Sequence, residues 1–158
     1  MNAVLMRRAT RADLPALIAM LADDALGRER ESSTTPLPPC YTAAFDAIEY
    51  NANQELMVAT LDGRTVGTLQ LTFTPSLSFR GGWRATVESV RVAAAERSAG
   101  IGSQMLRWAI ARASEHGCHL VQLSSHKSRA DAIRFYQRLG FRATHEGMKL
   151  SLDTAPMQ

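Results

Sequence analysis

The residues with the clearest capacity for chemistry are Arg97-Ser98-Ala99-Gly100-Ile101-Gly102, followed by Ser103. They come after an apolar run, residues 87–92, that is typical of a strand, and they lead into an amphipathic helix. A glycine-rich turn at a helix N-terminus points several main-chain N–H groups at one place, and the helix dipole adds positive potential there. The pattern predicts a site for a phosphate or pyrophosphate, with an ordinary helix-opening turn as the alternative.

A second segment, residues 128–141, reads as a helix that carries Tyr136 and ends in Leu-Gly-Phe. Together with the glycine turn it resembles motifs A and B of the GNAT superfamily of N-acetyltransferases, which use acetyl-coenzyme A. The resemblance follows the order of elements from about residue 4 to residue 150 and is specific over residues 84–141. It implies an α/β fold in which about four helices flank a mixed, mostly antiparallel, twisted sheet.

The resemblance also implies how the cofactor is bound. The turn would hold the pyrophosphate, with Arg97 adding charge, and the preceding strand would pair with the pantetheine arm while one of its amides polarises the thioester carbonyl. Many members have asparagine seven residues before the tyrosine, where this chain has Arg129. We expect Lys127 and Arg129 to contact the 3′-phosphate or the pantetheine, with a solvated basic turn as the alternative. The predicted cofactor-binding residues are Val90, Arg91, Val92, Arg97, Ser98, Ala99, Gly100, Ile101, Gly102, Ser103 and Arg129.

Tyr136 is the first predicted catalytic residue. In acetyl transfer from a thioester to an amine a thiolate leaves, and a nearby proton donor assists it. A thiol with a pKa near ~8.5 already leaves fairly readily, so the donor helps only moderately. The resemblance places Tyr136 near the thioester sulfur, whereas its helical face, shared with Ala132 and Leu139, also suits core packing.

Glu88 is the second predicted catalytic residue. Strict alternation puts it on the same side of its strand as Val90 and Val92, where an unpaired carboxylate would be unfavourable. A glutamate there is either a base, or the holder of a base water, or a rim residue paired with Arg84 or Arg91. The acidic residues in or beside the first long loop are weaker candidates for attracting a cationic amine: Asp23, Asp24, Glu29, Glu31, Asp46 and Glu49.

The composition limits the class of protein. The chain has 158 residues, 46% of them hydrophobic and 21% charged, which predicts one domain, residues 1–158, with its core over about residues 4–150. A net charge of +3, with the arginines spread along the chain, does not require a nucleic-acid partner. No signal peptide, membrane-spanning run or metal-ligand spacing is evident, and Cys40 and Cys118 suggest free thiols. We therefore expect a cytoplasmic protein without a metal or a membrane partner; a homodimer is compatible with the family.

Hydrophobic periodicity and turn residues predict the elements that position these groups. Thr10 to Asp13 reads as a capping box for the first helix, and Ser128 with Asp131 as one for the last. An Asp62-Gly63 turn predicts a hairpin. The predicted strands are residues 3–9, 56–61, 64–74, 84–92, 120–123 and a closing strand, 141–150; the predicted helices begin near residues 14, 41, 101 and 129.

The sequence allows four functions to be compared. The sequence favours an N-acetyltransferase that moves an acetyl group from acetyl-coenzyme A to a primary amine of a small molecule, amino acid or peptide by direct attack. A non-catalytic, regulatory domain that binds acyl-coenzyme A is the alternative. A nucleotide-binding loop of the Walker type is excluded because no Lys-Ser/Thr follows Gly102. An aminoacyl-RNA acceptor would require a concentrated basic face, which the sequence does not display.

Overall fold

Five strands form a mixed sheet in the computed structural model, which describes residues 3–152. The elements are β1 (Leu5–Arg8), α1 (Leu14–Ala22), α2 (Pro39–Glu49), β2 (Gln54–Leu61), β3 (Arg64–Pro75), the single turn α3 (Ser78–Gly81), β4 (Trp83–Val92), α4 (Ile101–Glu115), β5 (Cys118–Leu123) and α5 (Ala130–Arg138), with 3-10 turns at Arg11–Asp13 and Ala94–Glu96. The strand order is β1-β2-β3-β4-β5; the first three pairs in this order are antiparallel, and the β4–β5 pair is parallel. The mostly antiparallel sheet and its four longer helices confirm the predicted fold class.

Two layers of side chains cover the sheet. On one face, the core of β2, β3 and β4 packs against Ile101, Met105, Leu106 and Ala109 of α4. On the other face, a smaller cluster joins α1 and α2 to β2. Helix α1 contacts β3 and β4, and the segment that follows it reaches Arg91 near the end of β4 through Asp24. In residues 3–152 no helix is both long enough and apolar enough to traverse a bilayer.

Two local signals read from the sequence are confirmed. Asp62 and Gly63 have φ values of 49° and 77°, as a two-residue hairpin turn requires, and Leu61 pairs with Arg64. At the start of the first helical segment the Asp13 carboxylate accepts hydrogen bonds from the main-chain N–H and the hydroxyl of Thr10. These signals succeed because each depends only on residues within three positions of one another.

A β-bulge at Ser89 interrupts the regular pairing of β4 with β3. Gln70 lies opposite Glu88 and Thr68 lies opposite Arg91, so two residues of β4 face a single residue of β3. Ser89 has a φ of 53°, a conformation that few non-glycine residues adopt. The pairing with β5 ends at Val87, so within the described residues the last five residues of β4 have no strand beside them on that side. The sheet is therefore open at this point.

The closing strand predicted over residues 141–150 is wrong. This segment forms no strand, and after Phe141 its residues are exposed, including Met148 at 92% and Leu150 at 87%. Strand propensity reflects packing against neighbours, and here no described strand pairs with the segment, which leaves β5 at the edge of the sheet. The capping role predicted for Ser128 is also wrong, because its hydroxyl contacts His126 and Arg129 occupies the N-cap of α5.

Candidate active site

A cavity of about 340 Å³ lies where β4 diverges from β5. Its size is within the range of small-molecule sites. It brings together the end of β4, the beginning of the glycine turn, the segment after α1 and the residue before α5. The lining residues are Asp24, Val90, Arg91, Val92, Arg97 and Arg129. Five of these six were predicted from the sequence as cofactor-binding residues.

The glycine turn provides unused main-chain donors. Within the described residues, no N–H group from 98 to 103 donates to a backbone carbonyl, because these residues precede or form the first turn of α4. Gly100 is the N-cap, with a φ of 79°, and Ser98 has a φ of 66°. Gly100 and Ser103 also line a second cavity of about 390 Å³ with Arg107. The turn therefore presents N–H groups and positive helix-dipole potential to open space.

Arg97 is held beside the turn by residues from two other segments. Its Nε donates to the carbonyl of Val92 at 3.2 Å, and its Nη2 lies 2.8 Å from the carboxylate of Asp23 at the end of α1. Its side chain remains half exposed. The guanidinium is thus positioned at the mouth of the cavity, where the sequence predicted a charge for the pyrophosphate.

Gly102 has a packing role that the sequence did not reveal. A Cβ at this position would lie 3.3 Å from Cζ of Phe135 and 3.8 Å from a methyl group of Val92. The absence of a side chain therefore lets α5 approach the beginning of α4. Phe135 in turn contacts the ring of Tyr136 edge-on, with ring centroids 5.2 Å apart.

Tyr136 is half-buried and close to two arginines. Its ring packs against the main core and lies edge-on to Phe141. Burial raises the pKa of Tyr136, while Arg129 and Arg91 offset part of this increase. The phenol is consequently protonated at neutral pH, which is the state that a proton donor needs.

Asp24 lies between Arg91 and Arg129. Its Oδ2 is 3.0 Å from Nη2 of Arg91 and 3.6 Å from Nη2 of Arg129. Burial raises the pKa of Asp24, but a hydrogen bond from the N–H of Gly27 and the two arginines outweigh this and bring it below its ordinary value. The sequence placed Asp24 only among six acidic candidates; Asp23 and Asp24 are the two of these that come at the end of α1, and this position was the signal that could have separated them from the other four.

Glu88 does not share a side of β4 with Val90 and Val92, as strict alternation predicted. The bulge at Ser89 inserts one residue, so Val87, Val90 and Val92 face the main core, whereas Glu88 is on the opposite side and exposed. The rim pairing is not present either: among the described residues Glu88 forms no ion pair, and Arg91 pairs with Asp24. Its role as a base stays a prediction.

The other polar candidates lie outside the cavity. Lys127 is exposed and pairs with Glu146 at 3.6 Å. Glu31 accepts a hydrogen bond from Tyr41, and Asp46 pairs with Arg11. Of the six acidic residues near the first long loop, the structure thus brings Asp23 and Asp24 to the site.

The chain belongs to the acetyltransferase (GNAT) family, whose profile matches residues 20–141, from within α1 to just beyond α5. A curated relative, the aminoalkylphosphonate N-acetyltransferase of Salmonella typhimurium, is 33% identical over 101 residues, or 64% of this chain and 65% of that protein. The chain therefore matches slightly less than two thirds of that relative's length.

Solved structures resemble almost the whole chain. A transcriptional regulator from Bacillus halodurans is 53% identical, with a TM-score of 0.91, 94% of this chain covered and 99% of that one. An acetyltransferase of Trypanosoma brucei is 26% identical, with a TM-score of 0.76 and the same coverage of both chains. The resemblance to the GNAT superfamily identified from the sequence is confirmed.

Proposed function

We propose that this protein transfers the acetyl group of acetyl-coenzyme A to a primary amine of a small molecule, amino acid or peptide. The observation that carries the proposal is the unpaired end of β4 beside the donor-rich turn of residues 98–103. An extended pantetheine arm fits a strand end that lacks a neighbour, and a pyrophosphate fits main-chain N–H groups at a helix N-terminus. Membership of the GNAT family supports acetyl-coenzyme A as the acetyl donor.

The proposed reaction is a direct attack. The neutral amine nitrogen bonds to the acetyl carbon, the C–S bond breaks, and the product is an amide and coenzyme A. Before the attack Glu88, directly or through water, takes one proton from the ammonium form of the acceptor, which gives the neutral amine. Tyr136 gives its proton to the departing sulfur, and the second proton that the nitrogen loses as the amide forms restores the phenol. A main-chain N–H near Val90 or Val92 stabilises the carbonyl oxygen as negative charge develops on it.

A regulatory domain that binds acyl-coenzyme A is the second candidate. The similarity to a solved structure described as a transcriptional regulator favours it. The two candidates share the cofactor site and differ in turnover, because a purely regulatory domain binds acetyl-coenzyme A without consuming it.

Release of free coenzyme A, measured with a thiol reagent in the presence of a panel of primary amines, separates the two. We expect amine-dependent release that Tyr136→Phe slows. Tight binding of acetyl-coenzyme A by calorimetry, with no release for any amine in the panel, would instead support the regulatory function.

We also propose that two copies pair through the free edge of β5. Within residues 3–152 this edge has no partner strand, and the exposed apolar residues Met148, Leu150 and Leu152 lie in the segment that ends the described chain. Exposed alternating apolar residues and an open edge favour strand pairing with another chain. Light scattering should give twice the monomer mass for the parent protein and the monomer mass for Leu150→Lys. A parent protein with the mass of a monomer would contradict the pairing.

A further inference from the structure

We propose that Arg91 and Arg129 bind an oxyanion, such as a carboxylate or phosphonate, that the acceptor carries in addition to its amine. The inference rests on the proposed acetyl transfer and narrows its substrate to small amines with an anionic group at the other end.

The side of β4 on which Arg91 lies supports an acceptor role. Side chains alternate along a strand, so Arg91 is on the side opposite Val90 and Val92, which pack against the main core. It faces the segment that follows α1, where its ion pair with Asp24 forms. Glu88 lies on this same side of β4. A molecule placed there would have the proposed base near one end and a guanidinium near the other.

The Arg91 side chain is largely buried, and one of its N–H donors has no acceptor among the described residues. Its side chain is 13% exposed, its Nη1 donates to the carbonyl of Val90 at 2.8 Å, and its Nη2 faces Asp24. Its Nε is buried without a hydrogen-bond partner among the described residues. A buried donor that lacks an acceptor is unfavourable, and an oxyanion entering the cavity would satisfy it.

Arg129 adds a second guanidinium directed at the same place. Its Nη2 is 3.6 Å from the Asp24 oxygen that Arg91 contacts, and its side chain is 38% exposed. Two guanidinium groups that converge on one carboxylate oxygen have the arrangement that binds an oxyanion. Among the described residues this Asp24 oxygen is itself buried without a hydrogen-bond partner, so in this interpretation Asp24 keeps the two arginines in place by charge alone.

The charges around the cavity are unbalanced in favour of an anion. Three arginines and one aspartate line it, and Arg97 is already neutralised from outside by Asp23. The pantetheine arm is uncharged, and the cofactor phosphates are assigned to the turn at residues 97–103. The excess positive charge of Arg91 and Arg129 is therefore available to the acceptor.

The test compares three primary amines with the same two-carbon spacing: 2-aminoethylphosphonate, β-alanine and propylamine, which has a methyl group in place of the anionic group. For each enzyme variant, selectivity is the kcat/KM for an anionic amine divided by that for propylamine. Arg91→Gln and Arg129→Gln should each lower this selectivity about ten- to a hundredfold, the range expected for one charge-assisted hydrogen bond. The Kd of acetyl-coenzyme A is measured for every variant.

Arg84→Gln is the matched control, because Arg84 lies on the same strand roughly 23 Å from Arg91 and should leave the selectivity unchanged. A greater loss with the phosphonate than with β-alanine identifies the dianion as the preferred ligand, and the reverse identifies the carboxylate. If Arg91→Gln does not fold, the selectivity of Arg129→Gln, at a more exposed position, decides the test.

Two results would overturn the inference. One is unchanged selectivity in folded variants that still acetylate propylamine, which leaves the proposed function intact. The other is an equal loss for all three amines accompanied by weaker binding of acetyl-coenzyme A, which assigns the arginines to the cofactor. The absence of transfer to any amine would instead contradict the proposed function itself.

Discussion

The hydroxyl of Tyr136 can be tested apart from its ring, because phenylalanine keeps the packing against Phe135 and Phe141. Tyr136→Phe should lower kcat about ten- to a hundredfold, which is less than most acid–base groups contribute, since a thiolate is already a fair leaving group. The Kd of acetyl-coenzyme A should not change. Tyr50→Phe, at an exposed position, is the control. Full turnover by Tyr136→Phe would make this residue a core aromatic only.

The role of Glu88 has a signature in the pH–rate profile. An acceptor amine with a pKa near ~10.4 is almost wholly protonated at neutral pH, so a base matters most where free amine is scarce. Glu88→Gln should therefore lower kcat/KM most at low pH, and its kcat/KM should come closer to that of the parent protein at high pH. Glu115→Gln, on the exposed end of α4, is the control.

The shape of the Glu88→Gln profile distinguishes its possible roles. A loss that is uniform across pH would assign Glu88 to attraction of the cationic acceptor. Activity equal to that of the parent protein at every pH would remove it from the mechanism, and the base would then have to be sought in the loops at residues 27–39 and 75–82.

The glycine turn can be tested at Gly100. Its φ of 79° makes a side chain there unfavourable, and any Cβ would stand next to the donors of the turn. Gly100→Ala should weaken acetyl-coenzyme A binding at least tenfold by calorimetry. Gly63→Ala has nearly the same backbone conformation, at a φ of 77° in the hairpin, and controls for strain alone. Equal affinities in the two variants would show that the turn does not hold the cofactor.

Elements were predictable from the sequence where the determining contacts are local. The Asp62-Gly63 hairpin and the turn before α4 are specified by neighbouring residues. The bulge at Ser89 was not predictable, because no glycine or proline marks it and it depends on the register between β3 and β4. That single inserted residue explains why Glu88 was assigned to the wrong side of its strand.

The position of the cavity was predictable in part, but its contacts were not. The family resemblance indicated the end of β4, Arg97 and Arg129, which line one cavity, whereas Gly100 and Ser103 of the turn line another. The pairing of Arg91 with Asp24 joins residues far apart in sequence, so no periodicity could indicate it. The predicted last strand failed for a related reason, since its pattern does not specify a partner.

The stability of the whole molecule should depend on pH through Asp13. This buried carboxylate accepts hydrogen bonds from Arg7, Thr10 and Thr65, and the Arg7 bond holds its pKa well below the ordinary value. Since the folded-state pKa is below the unfolded one, the stabilisation is present above about pH 4 and is lost as the pH falls further. Asp13→Asn should lower the free energy of unfolding at pH 7 by about 3 kcal/mol.

Urea denaturation at a series of pH values measures this effect. The difference between Asp13→Asn and the parent protein should shrink as the pH is lowered from 5 to 2. Asp62→Asn removes a carboxylate while keeping a favourable turn residue, so its stability should stay within about 0.5 kcal/mol of the parent. A difference for Asp13→Asn that is constant with pH would exclude the carboxylate charge as its cause.

The contact of Phe135 with Gly102 has a consequence for engineering this protein. Position 102 belongs to the turn, whereas position 135 precedes the proposed proton donor, so a larger residue at 102 would push on the helix that carries Tyr136. Suppose that only the turn is diversified, for example to accept a different thioester carrier. Variants with a larger residue at 102 would then lose catalysis because the helix is displaced, and this loss could be mistaken for poor binding of the carrier. Varying positions 102 and 135 together, with a smaller residue at 135 for each larger one at 102, would separate the two effects.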